Sequence, residues 1–183
     1  YKERFDRNNF FQNLLLDNLL LVDIYNRAKK LHIEVAVPRA VFLVETHLEK
    51  DGIVTELLKG MFSSQAGDYI TAVDESSVIL IKALESNTTH ENLMDIANTI
   101  VGMMNTEAMM NVRVSFGTIV PELKDVSKSY KEAKMALDVG KIFYAERNVA
   151  AYSTLGIGRL IYQLPVNLCK IFIDEIFGEN VPN

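Results

Sequence analysis

The sequence predicts an α+β fold, in which amphipathic helices pack against one β-sheet. The run Ala40-Val41-Phe42-Leu43-Val44 contains no polar residue, as expected of a strand that is buried on both faces. A second apolar run, residues 78–81, has the same character, and residues 112–116 alternate between apolar and polar with the period of a strand. Helical spacing of apolar residues separates these strands, so we expect one main domain with a mixed α/β core.

Two helices are predicted before the sheet, over residues 5–16 and 20–31, because Asp17-Asn18 favours a turn between them. This region has too many large apolar residues for one narrow helical stripe. The residues concerned are Leu14, Leu15, Leu16, Leu19, Leu20, Leu21 and Val22. Two interpretations stay open: either all seven pack within one core, or the first helix presents an apolar surface to a second subunit.

Residues 35–84 predict three strands and a helix. A strand over residues 35–45 is followed by a helix that ends near Gly60, Ser63 and Ser64, and then by a β-hairpin. The hairpin strands, 68–74 and 78–84, flank a short polar turn of the sequence Asp-Glu-Ser-Ser. The second arm of the hairpin is continuously apolar at its start, so it is predicted to lie centrally in the sheet.

The next helix is predicted to start with a capping box formed by Thr88 and Glu91, and the strand over 112–116 follows it. The order is then βαββαβ, the ferredoxin-like or split βαβ plan, in which a four-stranded antiparallel sheet carries two helices on one face. An apolar stripe at Val126, Tyr130, Ala133 and Leu137 and a short strand over 149–152 extend this plan by one αβ unit. The tail, residues 155–183, reads as helical with a break at a proline.

Length, charge and composition limit the class of protein. The chain has 183 residues, which is enough for one hydrophobic core of ordinary size. Its formal net charge is −5, so the composition does not predict a basic surface that binds nucleic acid. No apolar run approaches the roughly 18 residues of a membrane-spanning helix, and a single cysteine forms no internal disulfide. We therefore expect a cytoplasmic protein that neither spans a membrane nor contacts DNA through these residues.

Several short motifs occur in an order and spacing that is similar to one bacterial family. They are Ala28-Lys29-Lys30-Leu31, Pro38-Arg39, Arg113-Val114-Ser115-Phe116-Gly117, Ser129-Tyr130-Lys131-Glu132-Ala133 and Leu155-Gly156. Together they resemble the central module of the sugar diacid and purine catabolism transcriptional regulators, the CdaR/PucR family. The resemblance implies N-terminal coupling or dimer helices over residues 1–31, a GGDEF-like α/β domain over 32–154, and a helical segment over 155–183. An upstream sensor domain and a helix-turn-helix DNA-binding domain beyond residue 183 are implied as neighbours, within a homodimer.

The central module of that family looks like a degenerate diguanylate cyclase domain, with a nucleotide-cyclase-like fold. A cyclase of this kind needs paired carboxylates to hold metal ions against a triphosphate, and a glycine-containing hairpin that lets the backbone approach the substrate. Glu45 stands where the first metal carboxylate would be, but His47 stands in place of its partner. Val73 and Asp74 replace the two hairpin glycines, so close backbone approach is sterically disfavoured.

Five residues are candidates for ligand binding. Glu45, Asp74 and Glu75 could meet at one end of the sheet and hold a cation, although surface carboxylates are more often simply solvated. Arg39 and Arg113 could bind an anion, or form ion pairs with nearby glutamates. We predict no catalytic residue, no metal site and no cofactor. The leading hypothesis is a non-catalytic signal-transmission module of a transcriptional regulator; the alternatives are a catalytically dead nucleotide sensor and an active nucleotidyl cyclase.

Overall fold

The computed structural model describes residues 2–46, 51–62 and 66–156. Within these residues the chain forms five α-helices and one five-stranded sheet. The elements in chain order are α1 (Lys2–Leu15), α2 (Leu21–Lys30), β1 (Arg39–Glu45), α3 (Asp51–Met61), β2 (Tyr69–Thr71), β3 (Ser77–Ala83), α4 (His90–Ala108), β4 (Val114–Phe116), α5 (Val126–Phe143) and β5 (Val149–Ala151). The predicted C-terminal helices lie outside the described residues.

The sheet has the strand order β2-β3-β1-β4-β5. β1 lies in its centre and pairs antiparallel with β3 along its whole length and with β4 on its other side. β5 runs parallel to β4, and α5 forms the crossover between them. The α+β fold, with its βαββαβ plan and one added αβ unit, is therefore confirmed.

Helices cover both faces of the sheet. Alternate residues of the central strands, including Val41 and Ile79, pack with α1, α2 and α5, while their neighbours Phe42 and Leu80 pack with α3 and α4. The two helices of the split βαβ plan share one face, as predicted. The opposite face is covered by α5 and the N-terminal helices, which explains why residues 40–44 of β1 are apolar on both sides.

The N-terminal helices pack onto this core with only part of their apolar surface. α1 buries Phe10, Phe11, Leu14 and Leu15, and the chain then turns at Asp17, whose φ is +59°. The interpretation that all seven apolar residues of this region pack in one core is wrong. Leu14 and Leu15 are buried and Leu19 packs partly against the core, but the other four are exposed.

Three predicted boundaries are corrected by the structure. The capping box of α4 lies one residue later than predicted: Thr89 caps the helix by accepting a hydrogen bond from the Asn92 amide, and Asn92 Oδ1 accepts one from the Thr89 amide at 2.8 Å. β1 begins later than predicted because residues 35–38 lie outside the β-ladder, and the Val35 carbonyl accepts from Leu123 N of a short 3₁₀ turn, at 2.9 Å. β4 also begins later, at Val114, where its pairing with β1 starts. In the described part of the chain, no helix has the length and apolar character needed to cross a membrane.

Candidate functional site

One end of the sheet brings together most of the residues that the sequence singled out. Glu45, the last residue of β1, lies opposite Ser77 of β3, and its amide donates to the Arg113 carbonyl at 2.8 Å. The Thr46 amide donates to the Ser76 carbonyl at 3.0 Å. Glu45, Arg113 and the turn Asp74-Glu75-Ser76 therefore share one edge of the sheet, which we call the hairpin end.

The carboxylate of Glu45 forms an ion pair with the ammonium group of Lys141 on α5. The Glu45 side chain is 21% exposed and that of Lys141 is 42% exposed, so the pair sits at the border between the sheet and solvent. The lysine supplies the positive charge that a metal ion would otherwise bring to this carboxylate. Sequence analysis did not identify Lys141 as a partner of Glu45.

The turn of the β2-β3 hairpin is fixed by its own side chains. Asp74 Oδ1 accepts hydrogen bonds from the Ser76 amide at 2.9 Å and from Ser76 Oγ at 2.7 Å. Partial burial acts to raise the pKa of Asp74, but the hydrogen bonds from Ser76 and the charge of Lys134 outweigh it, so the pKa of Asp74 is lowered. Val73 packs against the core and Glu75 is exposed.

Two neighbouring helices hold this turn in place. Gln12 of α1 donates from Nε2 to the Ala72 carbonyl at 2.6 Å. On α5, Tyr130 is buried, and this burial raises the pKa of its hydroxyl, with the charge of Asp74 raising it further. Lys134 and Lys141 are seven residues apart on α5, which places both on one side of the helix. The acidic residues of the hairpin end therefore face two lysines of α5.

Arg113 is the basic residue of the hairpin end. Its Nη2 donates to the Ala145 carbonyl at 3.0 Å, and its Nη1 is buried with no hydrogen-bond partner among the described residues. Among the described residues, the guanidinium group of Arg113 bonds a main-chain oxygen and forms no ion pair with a glutamate, so the predicted ion pair is not found there. Leaving a buried N–H without a hydrogen-bond partner lowers the stability of the fold. Nη1 of Arg113 is therefore the donor of this site best suited to hydrogen-bond an oxygen atom of a ligand.

Arg39 lies at the opposite end of the sheet, where it pairs with Ala83 of β3. It is only 3% exposed and donates to the carbonyls of Glu34 at 2.6 Å and Val37 at 3.4 Å. Burial lowers the pKa of Arg39, and the negative charge of Glu34 partly offsets that effect. In the part of the chain that the structure describes, Arg39 therefore also bonds main-chain oxygens and not a glutamate side chain. It belongs to a different surface from Glu45 and Asp74.

The described residues contain no cluster of three or more His, Cys, Asp or Glu side chains with the geometry of a metal site. His47, which the sequence placed beside Glu45, lies outside the described residues. The roles of Glu45, Asp74, Glu75, Arg39 and Arg113 in binding stay predictions.

A split βαβ sheet extended by an αβ unit, with acidic residues where the central strand meets a hairpin, defines a nucleotide-cyclase-like α+β domain. Residues 18–139 match the GGDEF-like domain family, and the chain belongs to that family. Among solved structures, the chain is similar to the active GGEEF domain of a diguanylate cyclase from Vibrio cholerae, with 17% identity and a TM-score of 0.43 over 70% of this chain and 88% of that one. At this identity the similarity concerns the fold alone. A search of curated proteins finds no significant match.

Proposed function

We propose that this chain is a non-catalytic, signal-transmitting module of a bacterial transcriptional regulator of the sugar diacid or purine catabolism type. The observation that supports the loss of catalysis is the engagement of both key carboxylates at the hairpin end. Glu45 is paired with Lys141, and Asp74 accepts two hydrogen bonds from Ser76. A metal ion bound to Glu45 would have to displace a lysine or lie beside it, and the like charges would oppose its binding.

The hairpin itself gives the second support for this proposal. Val73 packs against the core, and the Ala72 carbonyl accepts a hydrogen bond from Gln12 of α1. These contacts fix the backbone that leads from β2 into the turn. The turn contains no glycine, and its side chains occupy space that a triphosphate would need next to the backbone. Such a hairpin suits a structural role at the sheet edge.

Incubation with GTP and either Mg²⁺ or Mn²⁺, followed by chromatography, tests the absence of catalysis. We expect no cyclic dinucleotide from the chain. We also expect none from Lys141→Ala, which frees Glu45 but leaves the hairpin unchanged. Formation of product by the unaltered chain, together with its loss in Glu45→Gln, would refute the proposal.

We place the dimer contact of the regulator on the N-terminal helices. The start of α2 exposes a group of apolar side chains, of which Leu20 is 71% and Val22 is 59% exposed. Exposed apolar groups of this kind gain stability when they are covered by a partner. Sedimentation equilibrium over a range of concentrations should show a dimer that Leu20→Glu weakens and that Ile142→Glu, at a 62% exposed position on α5, leaves unchanged. A monomer at every concentration would contradict this part of the proposal.

In the whole regulator, a sensor domain and a helix-turn-helix domain would flank this module, and only the latter would contact DNA. The net charge of −5 supports a module that does not hold DNA itself. An electrophoretic mobility assay should show operator binding by the full-length regulator and none by the present chain. Binding of DNA by this chain alone would count against the assignment.

The unpartnered Nη1 of Arg113 favours one second candidate, a catalytically dead nucleotide sensor. A phosphate oxygen at the hairpin end would satisfy this buried donor. Thermal unfolding with and without GTP distinguishes the two functions, because a ligand at one hundred times its dissociation constant adds about 2.7 kcal/mol to the free energy of unfolding. A shift that disappears in Arg113→Gln would support the sensor, and no shift would support the purely structural module.

A further inference from the structure

A cavity of about 250 Å³ lies at the end of the sheet opposite the hairpin end. It is enclosed by α1, by the segment that leads into β1 and by the segment that leads into β2. Its inner wall contains the buried residues Phe11, Arg39 and Asp68, and its rim contains exposed residues such as His32 and Glu34. A buried floor beneath an exposed rim is the arrangement of a pocket that a small molecule can enter.

The two buried charges of this cavity differ in how they are neutralised. Asp68 accepts from Lys82 Nζ at 3.1 Å and from the Ala83 amide at 3.0 Å, so its charge is compensated. Arg39 hydrogen-bonds only the carbonyls of Glu34 and Val37 in the described part of the chain, and these two bonds use two of the five guanidinium N–H groups. The negative charge of Glu34 lies close enough to stabilise Arg39 in part, but burial remains the larger effect on this cation. An anion that hydrogen-bonds the free N–H groups of Arg39 would offset the remaining cost of burial.

The other walls of the cavity complement a small organic anion. Arg7 of α1 brings a second guanidinium group, whose Nη2 donates to the Leu31 carbonyl at 2.8 Å and lies 3.7 Å from the exposed carboxylate of Glu3, a solvent-screened ion pair. Phe11 and Tyr69 stack with their ring centroids 4.3 Å apart and supply a flat apolar wall. Ile33 and Val37 add further apolar surface. The cavity thus places two guanidinium groups beside apolar surface, while the carboxylate of Asp68 in its wall is already paired with Lys82.

We propose that this cavity binds a small aliphatic monocarboxylate, with the carboxylate at Arg39 and Arg7 and the carbon chain against Phe11 and Tyr69. A guanidinium group matches a carboxylate in a two-pronged arrangement. The volume lies just below the roughly 300 Å³ at which pockets for drug-sized ligands begin, so the ligand is small. Glu34 at the rim disfavours a second negative charge. The site is separate from the hairpin end, so it does not depend on the proposed regulatory function.

NMR titration of the ¹⁵N-labelled chain with butyrate tests the proposal, with butyramide as the uncharged probe of equal shape and inorganic phosphate as the alternative anion. We expect saturable shift changes with butyrate at the amides of Gly67, Asp68 and Ala83, with a dissociation constant of roughly 1 mM or tighter. Butyramide should cause none, and phosphate should bind at least about tenfold more weakly. No saturable change with butyrate, or equal binding of phosphate or butyramide, would overturn the proposal.

Two variants locate the site. Arg39→Gln should abolish butyrate binding. Because a change at a buried arginine can prevent folding, Ala83→Leu provides an independent test, since it fills the cavity and leaves both arginines in place. Ala108→Leu, at the last residue of α4, is its matched control: Ala108 is half-buried like Ala83 but does not line the cavity, so this variant should bind butyrate normally. Binding by Ala83→Leu with unchanged affinity would refute the assignment of butyrate to this cavity, whatever the outcome for Arg39→Gln.

Discussion

Gly117→Ala provides the sharpest test of how α5 packs on the sheet. A Cβ atom at position 117 would lie 2.7 Å from Ser129 Oγ and 2.9 Å from the Ser129 carbonyl carbon, and closer still to the carbonyl oxygen. These are mainly backbone atoms of a long helix, so no side-chain rotation relieves the overlap. Overpacking of this kind costs about 1–3 kcal/mol.

Moving α5 away from position 117 would also weaken two hydrogen bonds of Ser129. Its Oγ accepts from the Val41 amide at 3.0 Å and donates to the Thr118 carbonyl at 2.9 Å, and each bond contributes about 1 kcal/mol. We therefore expect Gly117→Ala to lower the free energy of unfolding by about 3–5 kcal/mol. For a domain of this size, that corresponds to a fall in Tm of about 10 °C.

Urea and thermal unfolding monitored by circular dichroism measure this effect. Gly102→Ala is the matched control, because Gly102 is exposed on α4 and a Cβ there meets no atom within 4 Å. The control should stabilise the chain by about 0.5–1 kcal/mol, since alanine favours the helix over glycine. If Gly117→Ala changed stability by less than about 1 kcal/mol, the close contact between α5 and the sheet would be wrong.

The remaining predictions concern the same core and the hairpin turn. Ser129→Ala should lower the free energy of unfolding by about 1–3 kcal/mol in urea, because it leaves the buried Val41 amide without its acceptor, and an unchanged midpoint would contradict this. Phe10→Ala should lower it by about 3–5 kcal/mol, whereas Phe5→Ala, at a residue that is 67% exposed, should stay within about 0.5 kcal/mol; equal effects would show that α1 does not pack as described. The lowered pKa of Asp74 means that its carboxylate stabilises the fold above its ordinary pKa of 3.8, and that this contribution is lost as the pH falls through the lower folded pKa. When the pH is lowered below 3.8, the Tm of Asp74→Asn should therefore fall less than the Tm of the unaltered chain. Parallel plots of Tm against pH for the two proteins would refute the assigned environment of Asp74.

Much of the fold could be predicted because the strongest sequence signals come from burial. An unbroken apolar run such as residues 40–44 occurs only where both faces of a strand are covered, and β1 is indeed central. Local sequence signals, such as helix caps, predicted the ends of helices and strands less accurately. Two adjacent threonines, Thr88 and Thr89, each have a polar residue three positions later, and the sequence offers no way to decide which of them caps α4.

The contacts of the candidate site could be predicted only in part. The missing hairpin glycines and the acidic residue that ends β1 are visible in the sequence. Lys134 and Lys141 look like ordinary solvated residues of an amphipathic helix, because nothing local shows which carboxylates α5 will cross. Their roles follow from the angle at which α5 packs on the sheet, which is a property of the whole fold.

That packing changes what the carboxylates of this sheet edge signify. An acidic residue at the end of a central strand suggests a cation site when it is considered alone, since carboxylates are hard ligands for divalent metals. Here the neighbouring helix supplies an ammonium group to Glu45 and a second positive charge near Asp74. The edge can therefore keep its negative charge without a bound ion, because α5 provides the compensation within the same chain. Arg39 is the opposite case, because its buried charge has no hydrogen-bonded carboxylate in the described part of the chain. By the same reasoning, the cavity beside Arg39 at the far end of the sheet is a stronger candidate for binding a ligand than the hairpin end.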